Sequence, residues 1–237
     1  MSSFLDEPVR GFLDQLAART PTPGGGGAAA VTGAMAAGLV AMAARFSATR
    51  LPGAGELADQ ADELRRRLGQ LAEEDAQAYA AVLEALRGPG EAGSGEQRET
   101  QWREALLGAA IVPLEIAEIG AQVALMAARL AETGNPNLRG DAITGVLLAE
   151  AGARAAAVLV WINLAVAPDD DRPARAARLV AEAASIAAAT QGSSGQLRLP
   201  RAAATVATAA ATTASRRCVC APRQYTWRHA GQRANAW

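Results

Sequence analysis

The sequence predicts an all-α protein, a bundle of about six helices, several of them long. Three observations carry that prediction. Apolar residues recur at steps of three and four through most of residues 4–190. No stretch has the convincing period-two alternation of a strand. Gly- and Pro-rich breaks at 20–27, 51–53, 88–96, 133–137 and 168–171 cut the chain into helix-length pieces. Half of the 237 residues are hydrophobic but only 4 % are aromatic, so the core must be aliphatic and rich in alanine.

The first element, 4–18, has Phe4, Leu5, Val9, Phe12, Leu13 and Leu16 at helical spacing. Next comes Pro21-Thr22-Pro23-Gly24-Gly25-Gly26-Gly27, read as a loop that opens onto a second helix at 28–49. Backbone N–H groups at such a helix end attract anions. Small residues along this helix (Ala29, Gly33, Ala36, Ala37, Ala41) allow close approach of its neighbours. The third helix, 55–86, carries the clearest stripe: Leu57, Ala61, Leu64, Leu68, Leu71, Asp75, Tyr79, Val82 and Leu86. Eight of those nine positions are apolar or aromatic and the ninth is Asp75. A carboxylate on a core seam costs several kcal/mol unless it is paired, hydrogen-bonded or protonated. Asp75 is therefore either a buried cap or ion-pair partner, or a site.

A fourth helix, 97–131, contains Pro113, which removes one ladder bond and should kink it. Glu115, Glu118, Gln122 and Arg129 read as a solvated line on its surface. After Gly134-Asn135-Pro136-Asn137 the fifth helix runs from Leu138 or Asp141 to Ala167, with Glu150 and Arg154 paired at i, i+4. Asn137 or Asp141 suits a helix cap. Asp141 and Asn163 lie on one face but 22 residues, about 33 Å, apart, so one subunit cannot bring both to one small molecule. A sixth helix is expected at 172–190.

Charge divides the chain at about residue 192. Residues 1–196 hold 16 arginines and all 24 acids, a balance of −8, whereas 197–237 hold seven arginines and no acid. The expected organisation is a helical domain at 1–192 and a low-complexity basic, disordered tail at 193–237. The acidic body argues against duplex nucleic acid as a partner. Cys218 and Cys220 make neither a disulfide framework nor a metal cluster, and no signal peptide opens the chain. The 24–44 run is mostly Ala and Gly without an aromatic belt, so no membrane span is expected and the location is read as cytoplasmic.

Several chemistries lack their residues. There is no G-x-x-x-x-G-K-[ST] and no G-x-G-x-x-G between strand and helix, hence no nucleotide cofactor is expected. The single histidine, His229, lies in the tail, so neither a His-based triad nor a His-rich metal site can form. Carboxylates, amides, arginines and backbone N–H groups remain. They suit proton transfer on a polar organic molecule, with Asp75 as the carboxylate whose pKa burial would raise.

Five motifs in order, each weak alone, are jointly specific. They are Pro23-Gly24-Gly25-Gly26-Gly27-Ala28-Ala29, the D-A-Q-A-Y-A-A-V-L-E-A run from Asp75, V-P-L-E-I-A from Val112, G-N-P-N-x-x-x-D from Gly134, and I-N-L from Ile162. Over 4–190 the chain resembles the formiminotransferase-cyclodeaminase C-terminal family, the folate-dependent cyclodeaminases and methenyltetrahydrofolate cyclohydrolases. The resemblance implies a homodimeric all-α bundle acting on a tetrahydrofolate derivative without a metal. It implies Asp75 and Asp141 as acid–base groups, with Pro23, Gly24, Gly25, Gly26, Gly27, Asn135 and Asn137 around the folate. Gly27 stands where the family usually has serine, and Leu159 where asparagine is common. A second reading built on those two positions is a dimeric module that binds folate or a protein partner without turnover.

Overall fold

Alanine and glycine at the contacts let the helices of this protein approach closely. The computed structural model describes residues 6–87 and 95–192. The expected tail at 193–237, the start of the first helix and most of the 88–96 loop lie outside them. Among the described residues there are seven α-helices and no strand: α1 (Val9–Ala17), α2 (Gly25–Arg45), α3 (Ala54–Arg87), α4 (Gly95–Ala109), α5 (Ile111–Thr133), α6 (Arg139–Asn163) and α7 (Arg172–Gly192). Single 3-10 turns, Pro136–Leu138 and Leu164–Val166, flank α6.

Helix α2 packs on α3 and α6, α5 packs on α6, and α7 covers α5 and α6. The close approaches are visible in two glycines. A methyl on Gly120 would lie 2.9 Å from the Ala153 Cβ, and one on Gly152 would lie 3.1 Å from the Ala29 carbonyl. Larger side chains fill the remaining gaps: Leu68, Leu71, Ile116, Val40, Val123, Val146 and Val160 are fully buried. By length and composition alone, Gly25–Arg45, Gly95–Thr133 and Pro136–Val166 are apolar enough to cross a membrane; in this fold half or more of each apolar window is buried.

Three boundaries differ from the sequence reading. Helix α1 begins at Val9, because Pro8 ahead of it is held extended (ψ 147°). The glycines at 25–27 form the first turn of α2 and are not a loop. The expected fourth helix is interrupted at Ala110, giving α4 and α5. Pro113 thus sits in the first turn of a new helix, where a missing N–H is tolerated.

The expected solvated line on α5 is in part a set of ties between helices. Arg67 of α3 donates to both carboxylate oxygens of Glu115 (Nε 2.6 Å, Nη2 2.8 Å) and to Glu74 (Nη1 2.5 Å). Arg175 of α7 pairs with Glu118 at 3.0 Å. These pairs are partly exposed and each contributes about 0–1 kcal/mol. Their larger effect is on register, since Glu74 precedes Asp75.

Candidate active site

Asp75 interrupts the buried stripe of α3, which resumes at Val82. Leu57, Ala61, Leu68 and Leu71 are buried, Asp75 is half-buried, and Tyr79 one turn further is 44 % exposed. The seam read from sequence is real.

The carboxylate meets the glycine turn of α2. Gly24 caps that helix without a side-chain hydrogen bond, so its first N–H groups have no local acceptor. Asp75 supplies one from α3, accepting the Gly27 N–H. The anion at this helix end is therefore the protein's own. Gly26 makes the approach possible, because a Cβ there would fall on the Asp75 carboxyl. Burial pushes the Asp75 carboxyl above the usual carboxylate range, and the Gly27 hydrogen bond only partly opposes it. A methyl at Gly27 would make ordinary contacts, 3.6 Å from the Pro23 Cβ and 3.7 Å from the Ala72 carbonyl. The family's serine would fit.

Around this contact lies a cavity of about 290 Å³. Pro21, Thr22 and Gly24–Gly26 form one side, Asp75, Ala78 and Tyr79 another, and Ala109, Leu159, Ile162 and Asn163 the rest. The methyls of Leu159 lie 3.9 Å from where a Cβ on Gly25 would stand. Asp75 is the one carboxylate among the lining residues. Asn163 donates through Nδ2 to the Ala109 carbonyl at 2.9 Å.

Five of the candidate residues thus cluster here: Asp75 with Gly24, Gly25, Gly26 and Gly27. Pro23 is buried beneath the turn, after a cis Thr22–Pro23 peptide. The other three are at the far end of α6. Asn135 donates its N–H to the Ser47 hydroxyl (2.9 Å) and its Nδ2 to the Phe46 carbonyl (3.1 Å), and its Oδ1 accepts from the Asn137 N–H (3.0 Å). It ties the α5–α6 turn to the end of α2. Asp141 lies in the first turn of α6, where a carboxylate favours the helix dipole. Within one chain, Asp141 and Asp75 do not share a cavity. Asn163 and Ile162 were visible in I-N-L, Ala78 in the run from Asp75, and Leu159 as a departure from the family, whereas Ala109 carried no signal beyond helical spacing.

The all-α bundle thus sets one carboxyl raised by burial, at a glycine helix end, in the same cavity lining as the Asn163 amide. The chain belongs to the formiminotransferase-cyclodeaminase family, whose model matches residues 8–191. It is 38 % identical over 165 residues to the methenyltetrahydrofolate cyclohydrolase of Methylorubrum extorquens, covering 67 % of this chain and 79 % of that one. It is 32 % identical over 182 residues to the formimidoyltransferase-cyclodeaminase of Mus musculus, covering 71 % of this chain but only 32 % of that longer protein. Among solved structures, formiminotetrahydrofolate cyclodeaminase from Thermotoga maritima matches with a TM-score of 0.66 at 28 % identity, covering 78 % of this chain and 92 % of that one.

Proposed function

We propose that this protein is a folate-dependent one-carbon enzyme. It either closes 5-formiminotetrahydrofolate to the 5,10-methenyl form with loss of ammonia, or hydrolyses the methenyl bridge. The observation that carries the reading is the Asp75 carboxyl, raised by burial and facing a cavity walled by the glycine turn. Both reactions need a group that takes a proton from the attacking atom and returns one to a leaving nitrogen. A carboxyl with a raised pKa serves both steps. The glycine turn lets a flat substrate lie close to the backbone, and Tyr79, Leu159 and Ile162 offer it apolar contact. The reading invokes no metal and no nucleotide. Mixing the protein with each folate and following the methenyl absorbance tests it. A rise identifies the cyclodeaminase and an accelerated fall the cyclohydrolase; binding without either supports the non-catalytic module instead.

The working form in this reading is a homodimer. Helices α2 and α6 run antiparallel, with Gly25 against Leu159 and Gly145 against Ala36. On α2, at its end and on α6, Met35, Phe46, Leu147, Val158 and Ile162 are 40–62 % exposed. A second copy would cover apolar side chains of this kind. Met35→Glu is expected to turn a dimer into a monomer at micromolar concentration, because a carboxylate would be buried without a partner. Sedimentation velocity reads the result; a wild-type monomer defeats the dimer.

A further inference from the structure

The amide of Asn163 is oriented by a defect in a neighbouring backbone. Pro113 has no N–H, so the Ala109 carbonyl four residues earlier receives no ladder bond at the α4–α5 break. Asn163 Nδ2 donates to that carbonyl at 2.9 Å. A carbonyl can only accept, so the amide is held with its NH₂ toward Ala109. The atom left for the cavity that Asn163 lines with Asp75 is its Oδ1. Besides the Thr22 and Tyr79 hydroxyls, the cavity therefore offers two carbonyl-type side-chain acceptors, the Asp75 carboxylate and the Asn163 Oδ1, between the apolar walls of Ala78, Leu159 and Ile162. Two acceptors match a group carrying two polar hydrogens, such as a departing amine or a water molecule.

We propose that Asn163 is a further catalytic residue, its Oδ1 accepting a hydrogen from the nitrogen or oxygen exchanged at the one-carbon unit. This rests on the folate reading above. In ring closure the N10–C bond forms and the bond from carbon to the former imine nitrogen breaks. The N10 proton and one from solvent end on that nitrogen, which leaves as ammonia. In ring opening a C–O bond forms and the C–N5 bond breaks; N5 takes one of the water's protons and the other is released. In each case Asp75 handles one hydrogen of the exchanged atom while Asn163 holds another.

The test compares Asn163→Ala with Arg103→Ala. Arg103 also ties α4 down, donating to the Val166 carbonyl at 2.6 Å, but it does not line the cavity. Asn163→Ala should lower kcat on the order of 10–100-fold with KM changed less than about threefold, while Arg103→Ala stays within about twofold of wild type in kcat. Equal losses in the two variants, or wild-type kcat in Asn163→Ala, would overturn the inference. Pro113→Ala is the second arm and decides if Asn163→Ala does not fold. It gives the Ala109 carbonyl a competing backbone donor and loosens the hold on the amide, so kcat should fall on the order of 3–10-fold, while urea unfolding reads the cost of truncating the buried Pro113 ring. Unchanged kcat there overturns it as well. A wild-type protein that turns over neither folate defeats the folate reading itself, which is a different outcome.

Discussion

Asp75→Asn is expected to lower turnover by about 10²–10⁴-fold while leaving the fold intact. The exchange is isosteric, and the new Oδ1 can still accept the Gly27 N–H, so α2 keeps its cap. What is lost is a group able to take and return a proton. Stability should move the other way. Burial raises the Asp75 carboxyl in the folded protein, so the folded state holds that proton more tightly than the unfolded chain does. The stabilisation from this is complete below the ordinary aspartate value of about 3.9 and is lost as pH rises through the raised folded value. At neutral pH the wild type carries a half-buried charge that the Asn variant lacks. The variant should therefore unfold at the same or higher urea concentration at pH 7, with the difference shrinking or reversing in acid. The wild-type pH–rate profile should have an acid limb above the ordinary aspartate range, absent from the variant's residual rate. Full activity in Asp75→Asn would remove Asp75 from the mechanism.

The helices were legible because apolar spacing is a local property, and alanine-rich stretches satisfy it without ambiguity. Asp75 was legible for the same reason: a charge interrupting a long stripe is visible in one dimension. The glycine turn was found but its conformation was misread. Propensity argues against three glycines beginning a helix, and the carboxylate that accepts the Gly27 N–H comes from α3, 48 residues further along. Asn163 shows the limit from another side. Its orientation depends on Pro113 and Ala109, 50 or more positions upstream, and only the packed helices relate them. Asp141 is the converse case, a residue marked by a motif that one chain keeps at the opposite end of α6.

Gly26→Ala is the second large effect expected, and its sign runs against ordinary helix energetics. Within a helix, Gly to Ala normally stabilises by about 0.5–1 kcal/mol. At Gly27 that rule should hold in sign, because a methyl there meets the Pro23 Cβ at 3.6 Å and the Ala72 carbonyl at 3.7 Å, ordinary contacts both. One residue earlier the methyl would occupy the position of the Asp75 carboxyl itself. Either that side chain leaves the helix end or α2 and α3 move apart. Overpacking of this kind costs about 1–3 kcal/mol, and the displaced carboxyl no longer faces the cavity it serves. Gly26→Ala should thus unfold at lower urea and lose activity nearly as completely as Asp75→Asn, while Gly27→Ala unfolds at equal or higher urea. In the double variant Gly26→Ala/Asp75→Ala the smaller side chain removes the clash, so part of the stability should return without any activity. If Gly26→Ala and Gly27→Ala behave alike, the α2–α3 contact is not what holds Asp75 in place.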